Sequence, residues 1–161
     1  AYLLAVSGLT LCLSWLPVTG TDDMTGYYNT HALVLSRQGR VDEAMGFWKI
    51  SSDMKRPYSA FADLALAGAY WRKGALTKTM TYLNNISDHG MAAAGKYEFL
   101  GDLAVKAGDY QKAAAHYRTS IKINSGRLDV RRKLIKVLES IDPIEAAGQQ
   151  AEWHRIRAYY Q

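Results

Sequence analysis

Apolar residues recur three or four positions apart along most of this chain, the spacing of one helix face. From Thr25 onward the pattern is broken at near-regular intervals. Gly39, Gly74 and Gly108 lie 35 and then 34 residues apart, and each stands between two helix-like stretches. A period near 34 residues predicts a helix–turn–helix solenoid, in which neighbouring repeats complete each other's core. The opening stands apart from this pattern. Residues 1–20, AYLLAVSGLTLCLSWLPVTG, carry no charge, and the first charged residue is Asp22.

The third repeat, residues 94–127, is the clearest. Tyr97, Leu100, Gly101 and Ala104 share one face of its first helix. Gly101 is expected to be small because a helix of the adjoining hairpin comes close. Gly108 can end the first helix in the left-handed conformation. The second helix carries Tyr110, Ala113, Ala114, Tyr117 and Ile121, with Tyr117 filling the space between hairpins. The repeat over 60–93 places Leu66, Ala67, Tyr70, Gly74, Leu76 and Leu83 in the same register. Thr79 replaces a small Ala there, which predicts a looser helix pair. The repeat over 25–58 has Tyr28, Ala32, Leu35, Gly39, Val41, Ala44 and Trp48, and Pro57 near its close. His31 falls on its expected core face, which predicts a buried neutral imidazole. Residues 128–160 form a degenerate fourth unit. Leu134, Ile135 and Leu138 continue the helix pattern, Asp142 caps the next helix, and Pro143 starts it. Trp153, Ile156 and Tyr160 are expected to cover the open end of the stack.

This pattern resembles the tetratricopeptide repeat, and the resemblance spans about residues 25–160. The third repeat carries it at Tyr97, Leu100, Gly101, Gly108, Tyr110, Ala113 and Tyr117, and departs at Ser125, where the family often has Pro. The resemblance implies partner binding in a concave face lined by the first helix of each hairpin. By register, that face receives Asn29, Leu33 and Arg37, then Leu64, Trp71 and Arg72. It continues with Glu98, Asp102, Val105 and Lys106, then Arg132, Lys136 and Glu139. Some family members grip a carboxyl-terminal peptide through Lys and Asn at such places. Leu64, Glu98 and Asp102 stand there instead, so that clamp is absent. Trp71 is the best single anchor, since aromatic and Arg side chains dominate binding hot spots.

Three readings of the opening segment stay open. As a helix, residues 1–18 would span about 27 Å at roughly 1.5 Å per residue, close to the hydrocarbon thickness of a bilayer. Tyr2 and Trp15 lie near its two ends, and Pro17 and Gly20 would break it. It can therefore be a transmembrane anchor over 1–20, followed by a short linker at 21–24. The alternative is a signal peptide, leaving a soluble secreted or periplasmic module. The third reading is an apolar helix buried in a partner. Asp22 and Asp23 follow the segment, and no basic residue occurs before Arg37. That flank places the repeats on the extracytoplasmic side of a single-pass anchor.

Composition narrows the chemistry. Hydrophobic residues make up 48% and charged residues 22%, which excludes broad disorder. The net charge of +5 is mild and comes without a basic-aromatic nucleic-acid motif, so no nucleic-acid partner is expected. The one cysteine, Cys12, excludes an internal disulfide. Leu11 before it departs from a lipoprotein signal. The histidines at 31, 89, 116 and 154 form no ligand pair at helical spacing, and no phosphate loop or catalytic triad motif occurs. The expectation is an all-α, non-catalytic scaffold or accessory subunit of a membrane complex, without cofactor or metal.

Overall fold

The computed structural model describes residues 24–159. These residues form helices α1 (Met24–Arg37), α2 (Val41–Asp53), α3 (Ser59–Arg72), α4 (Leu76–Asn85), α5 (Met91–Lys106), α6 (Tyr110–Ile123), α7 (Leu128–Ile141) and α8 (Pro143–Tyr159). The described residues contain no strand. Helices adjacent in sequence pack on one another, except that α4 and α5 barely meet; α3 reaches α5 there, and it also touches α1. The result is four helical hairpins stacked in chain order. The opening segment, read as a membrane helix over 1–20, lies outside the described residues. Met24, assigned to the linker, is already helical. No described helix is long and apolar enough to cross a membrane.

The first three hairpins turn in the same way. Gly39, Gly74 and Gly108 have φ of +81°, +73° and +77°. In each turn the glycine N–H donates three residues back, to Ser36, Trp71 and Val105 respectively. The N–H of the next residue donates five back, from Arg40 to Leu35, Ala75 to Tyr70 and Asp109 to Ala104. This pair of bonds satisfies carbonyls that the helix end would leave unpartnered. The fourth hairpin turns without a glycine. Asp142 stands there outside the helical conformation, at φ −153° and ψ 81°, and its carboxylate accepts from the Glu145 N–H at 3.0 Å, so it caps α8 as expected.

Apolar contacts run the length of the stack. Ala32, Leu35, Ala44 and Trp48 of the first hairpin bury against Ala62, Leu66 and Tyr70 of the second. Leu83, Ile86 and Ala92 join the second hairpin to the third. Tyr117, Val130, Leu134 and Leu138 join the third to the fourth. Two glycines permit the closest approaches. A Cβ on Gly101 would meet the Tyr117 ring at 2.4 and 2.6 Å. Tyr117 belongs to the second helix of the same hairpin, so Gly101 serves packing within its hairpin and not the adjoining one. Contact between hairpins falls instead at Gly95, where a Cβ would lie 2.4 Å from Leu64 Cδ2.

Several expectations about the core need correction. His31 is exposed. Ala32 and Leu35 point inward from α1, which turns the adjacent position aside. The His31 ring packs at the surface, stacked on Tyr27 and edge-on to Phe47. Tyr110 is exposed as well, because it opens α6 at the hairpin tip. Thr79 takes the place of the small residue inside its hairpin. It is fully buried, and its hydroxyl donates to the Ala75 carbonyl at 3.1 Å. In α8, Trp153 and Ile156 are only half-buried, and Tyr160 lies outside the described residues.

Two outcomes follow from this packing. Gly101→Ala is expected to destabilise the protein by about 1–3 kcal/mol, the usual range for overpacking. The Tyr117 ring cannot yield, being buried and held by its hydroxyl on Asp102 at 2.7 Å. Gly95→Ala should be milder. The Leu64 methyls can rotate away, and the better helix propensity of Ala, worth about 1 kcal/mol, offsets the crowding. Urea unfolding of both variants checks this, and equal losses would refute the Tyr117 constraint.

The second outcome concerns acid. Arg118 of α6 grips Glu145 of α8 through bonds of 2.9 and 2.5 Å. The guanidinium holds the Glu145 carboxyl below its ordinary range. A depressed folded-state pKa contributes stability that is complete above the unfolded value of about 4.3 and is lost as pH falls through the lower folded value. Melting temperature should therefore drop on acidification from about pH 5 to about pH 3. Glu145→Gln should make that drop shallower, and an unchanged profile would remove the bridge from the account.

Candidate partner-binding site

A groove opens between the second and third hairpins, with a volume of about 420 Å³. Trp71 lies in the last turn of α3 and Lys106 ends α5, one repeat apart, so the common turn geometry brings both to the same edge of the stack. Trp71 lies edge-on to Phe99, with ring centroids 6.4 Å apart. The Lys106 ammonium sits 4.4 Å from the Trp71 ring centroid, a cation–π contact. Leu76, Met80, Leu100 and Leu103 supply the apolar lining. Leu76 opens α4 and is 53% exposed.

The rim is basic. Lys106, Lys112 and His116 line it, together with Asp109. The Asp109 carboxylate is already engaged, accepting from the Lys112 N–H at 3.0 Å as the cap of α6. Burial, and then the neighbouring Lys112, push the His116 pKa down, so its imidazole is neutral at neutral pH. Positive charge at the rim therefore comes from the two lysines. An apolar floor with a cationic edge suits an apolar side chain flanked by carboxylates. Among the described residues no group of three or more His, Cys, Asp or Glu could hold a metal ion.

The other residues expected on this face are distributed unevenly. Asn29 donates to the Tyr58 carbonyl at 2.9 Å and fastens α1 to the loop before α3. Leu33, Arg37 and Arg72 are exposed and outside the groove lining. Leu64 is half-buried against Gly95 and the core between the second and third hairpins. Lys136 and Glu139 are exposed on α7, and Val105 is half-buried. Arg132 lies far from the groove, with its guanidinium 5.7 Å from the Trp153 ring centroid.

Glu98 and Asp102 are committed to the protein itself. Glu98 accepts from Arg127 at 2.5 Å and from Lys133 at 2.7 Å, and its side chain is only 19% exposed. Asp102 accepts from Lys133 at 2.7 Å and from the Tyr117 hydroxyl. Burial opposes the Lys133 charge, but its bonds to Asp102 and Glu98 outweigh that and raise its pKa. Burial and the bond to Asp102 likewise push the Tyr117 hydroxyl upward. These groups tie α7 to α5. Register alone placed both carboxylates on an open face, because it carries no information about which cation closes on them.

No family model and no curated protein matches the chain. Among solved structures, the fold is similar to the crystal structure of BtubC (BKLC) from P. vanneervenii, with a TM-score of 0.68 and 18% sequence identity. The match covers 89% of this chain and 67% of that one. The likeness is one of fold.

Lys133→Met is expected to cost about 1 kcal/mol, modest because the ammonium is partly solvated. The loss should be non-additive with Asp102→Asn in a double-mutant cycle measured by urea unfolding, since both variants break one shared contact. Strict additivity would show that the network is not coupled.

Proposed function

We propose that this chain is a non-catalytic scaffold, or an accessory subunit of a membrane complex, that holds a protein partner in the groove beside Trp71. The repeat domain reads best as tetratricopeptide-like. The observation that carries the reading is the groove: an indole braced by Phe99 and Lys106, an apolar lining, and a lysine rim. Such an amphipathic cleft with an aromatic anchor is how a few residues can supply most of a binding energy. The turn that repeats at Gly39, Gly74 and Gly108 supports the repeat reading. The uncharged opening of the chain supports a tether at residues 1–18, with the repeats on the extracytoplasmic side. A tether raises the effective concentration of partners at the bilayer.

Chemical cross-linking with mass spectrometry on native membranes tests this. Links from Lys106 and Lys112 to one recurrent protein are expected. Trp71→Ala, and Leu76→Glu at an exposed lining position, should each reduce them by about tenfold, the equivalent of one hot-spot contact. Unchanged links in both variants, with helical content retained, would overturn the groove. Recovery of the chain in the soluble fraction would overturn the tether.

A further inference from the structure

The far end of the stack holds a second cleft, of about 630 Å³, between α7 and α8. Leu128, Arg132, Gln150, Trp153 and Arg157 line it. Trp153 is fixed in place. Its Nε1 donates to the Leu128 carbonyl at 3.2 Å, and its ring lies edge-on to His154. Two guanidinium groups converge on this one indole, Arg132 at 5.7 Å and Arg157 at 5.1 Å from the ring centroid. The ring quadrupole attracts each cation, but the cations repel one another.

Four arginines of the described residues close on carboxylates. Arg40 pairs with Glu43, Arg118 with Glu145, Arg127 with Glu98, and Arg155 with Glu152. Arg132 and Arg157 have no carboxylate partner among the described residues, although Glu152 stands on the same helix as Arg157. Two forked donors beside a fixed aromatic surface form an arrangement that bidentate carboxylates complete.

We infer that this cleft is a binding subsite for an acidic peptide segment. Two neighbouring carboxylates of the segment would take the guanidiniums of Arg132 and Arg157, and an aliphatic residue between them would lie on Trp153 and Leu128. A membrane surface fits less well. Attraction to anionic lipid builds up over many cations facing one way. This end of the protein mixes charge, with Glu152 held by Arg155 beside the cleft and Glu139 exposed on α7. The subsite is separate from the Trp71 groove and stands or falls independently of it.

The test uses the full chain in non-ionic detergent and a fluorescein-labelled Glu-Glu-Leu-Glu-Glu peptide, followed by anisotropy. Arg132→Ala and Arg157→Ala should each weaken binding by about tenfold or more, the double variant should abolish it, and added salt should weaken it. Arg132→Lys should recover only part of the affinity, because an ammonium lacks the fork. Lys49→Ala, at an exposed position outside both clefts, should leave it unchanged. Equal affinity of the double variant and the parent protein would overturn the subsite. So would a preference for phosphatidylserine over phosphatidylcholine vesicles that requires both arginines while the peptide does not bind, which would assign the cleft to lipid. Circular dichroism of each variant excludes unfolding as the cause of a loss.

Discussion

At Gly39, Gly74 and Gly108 the backbone turns left-handed, and two short hydrogen bonds seal the helix behind it. A side chain at such a φ would strain the turn. Because the same reversal recurs at the same spacing, each hairpin leaves its turn in the same register as the last. That register decides which faces meet. Ala and Leu positions meet in the core, while the last turns of α3 and α5 emerge side by side. The groove beside Trp71 is thus a product of turn geometry before it is a product of its own side chains.

The junctions along the stack are built from different materials. The first and second hairpins meet through a broad apolar surface that includes Leu35, Trp48 and Leu66. The second and third meet where Leu64 reaches over Gly95. The third and fourth add polar ties: Lys133 between Glu98 and Asp102, and Arg118 on Glu145. Buried serines add two further polar ties. Ser120 donates to the Ala94 carbonyl at 2.7 Å, and Ser52 donates to Asp63 at 2.5 Å. Most carboxylates in the second half of the described chain are therefore paired or cap a helix, and none of them meets the two arginines beside Trp153.

Much of this architecture was legible in the sequence. Glycine punctuation and apolar periodicity gave the helices and their pairing, and Asp142-Pro143 marked the start of α8. These are local signals, and local geometry answered them. Features that depend on a third element were not legible. Gly101 announced a close approach, but the neighbour proved to be Tyr117 of its own hairpin, and the contact between hairpins fell on Gly95, which the repeat pattern does not mark. His31 fell one position from the true inward face, a rotation of about 100° on a helix. Trp71 and Lys106 were expected on one face, and the two side chains do touch. Glu98 and Asp102 were placed on it too, yet Arg127 at the end of their own repeat and Lys133 from the next one occupy them. The pairing of Arg132 with Arg157 across Trp153 left no sequence signal, because it depends on how α8 folds back over α7.

The largely sequential packing has a consequence for how the protein comes into being. Each hairpin closes on residues near it in the chain, and each then meets chiefly the one made just before. Little order has to wait for distant segments, so loop-closure entropy stays small throughout. During synthesis, the first hairpin can form while later ones are still inside the ribosome. Every new hairpin then covers an apolar face that its predecessor had left open.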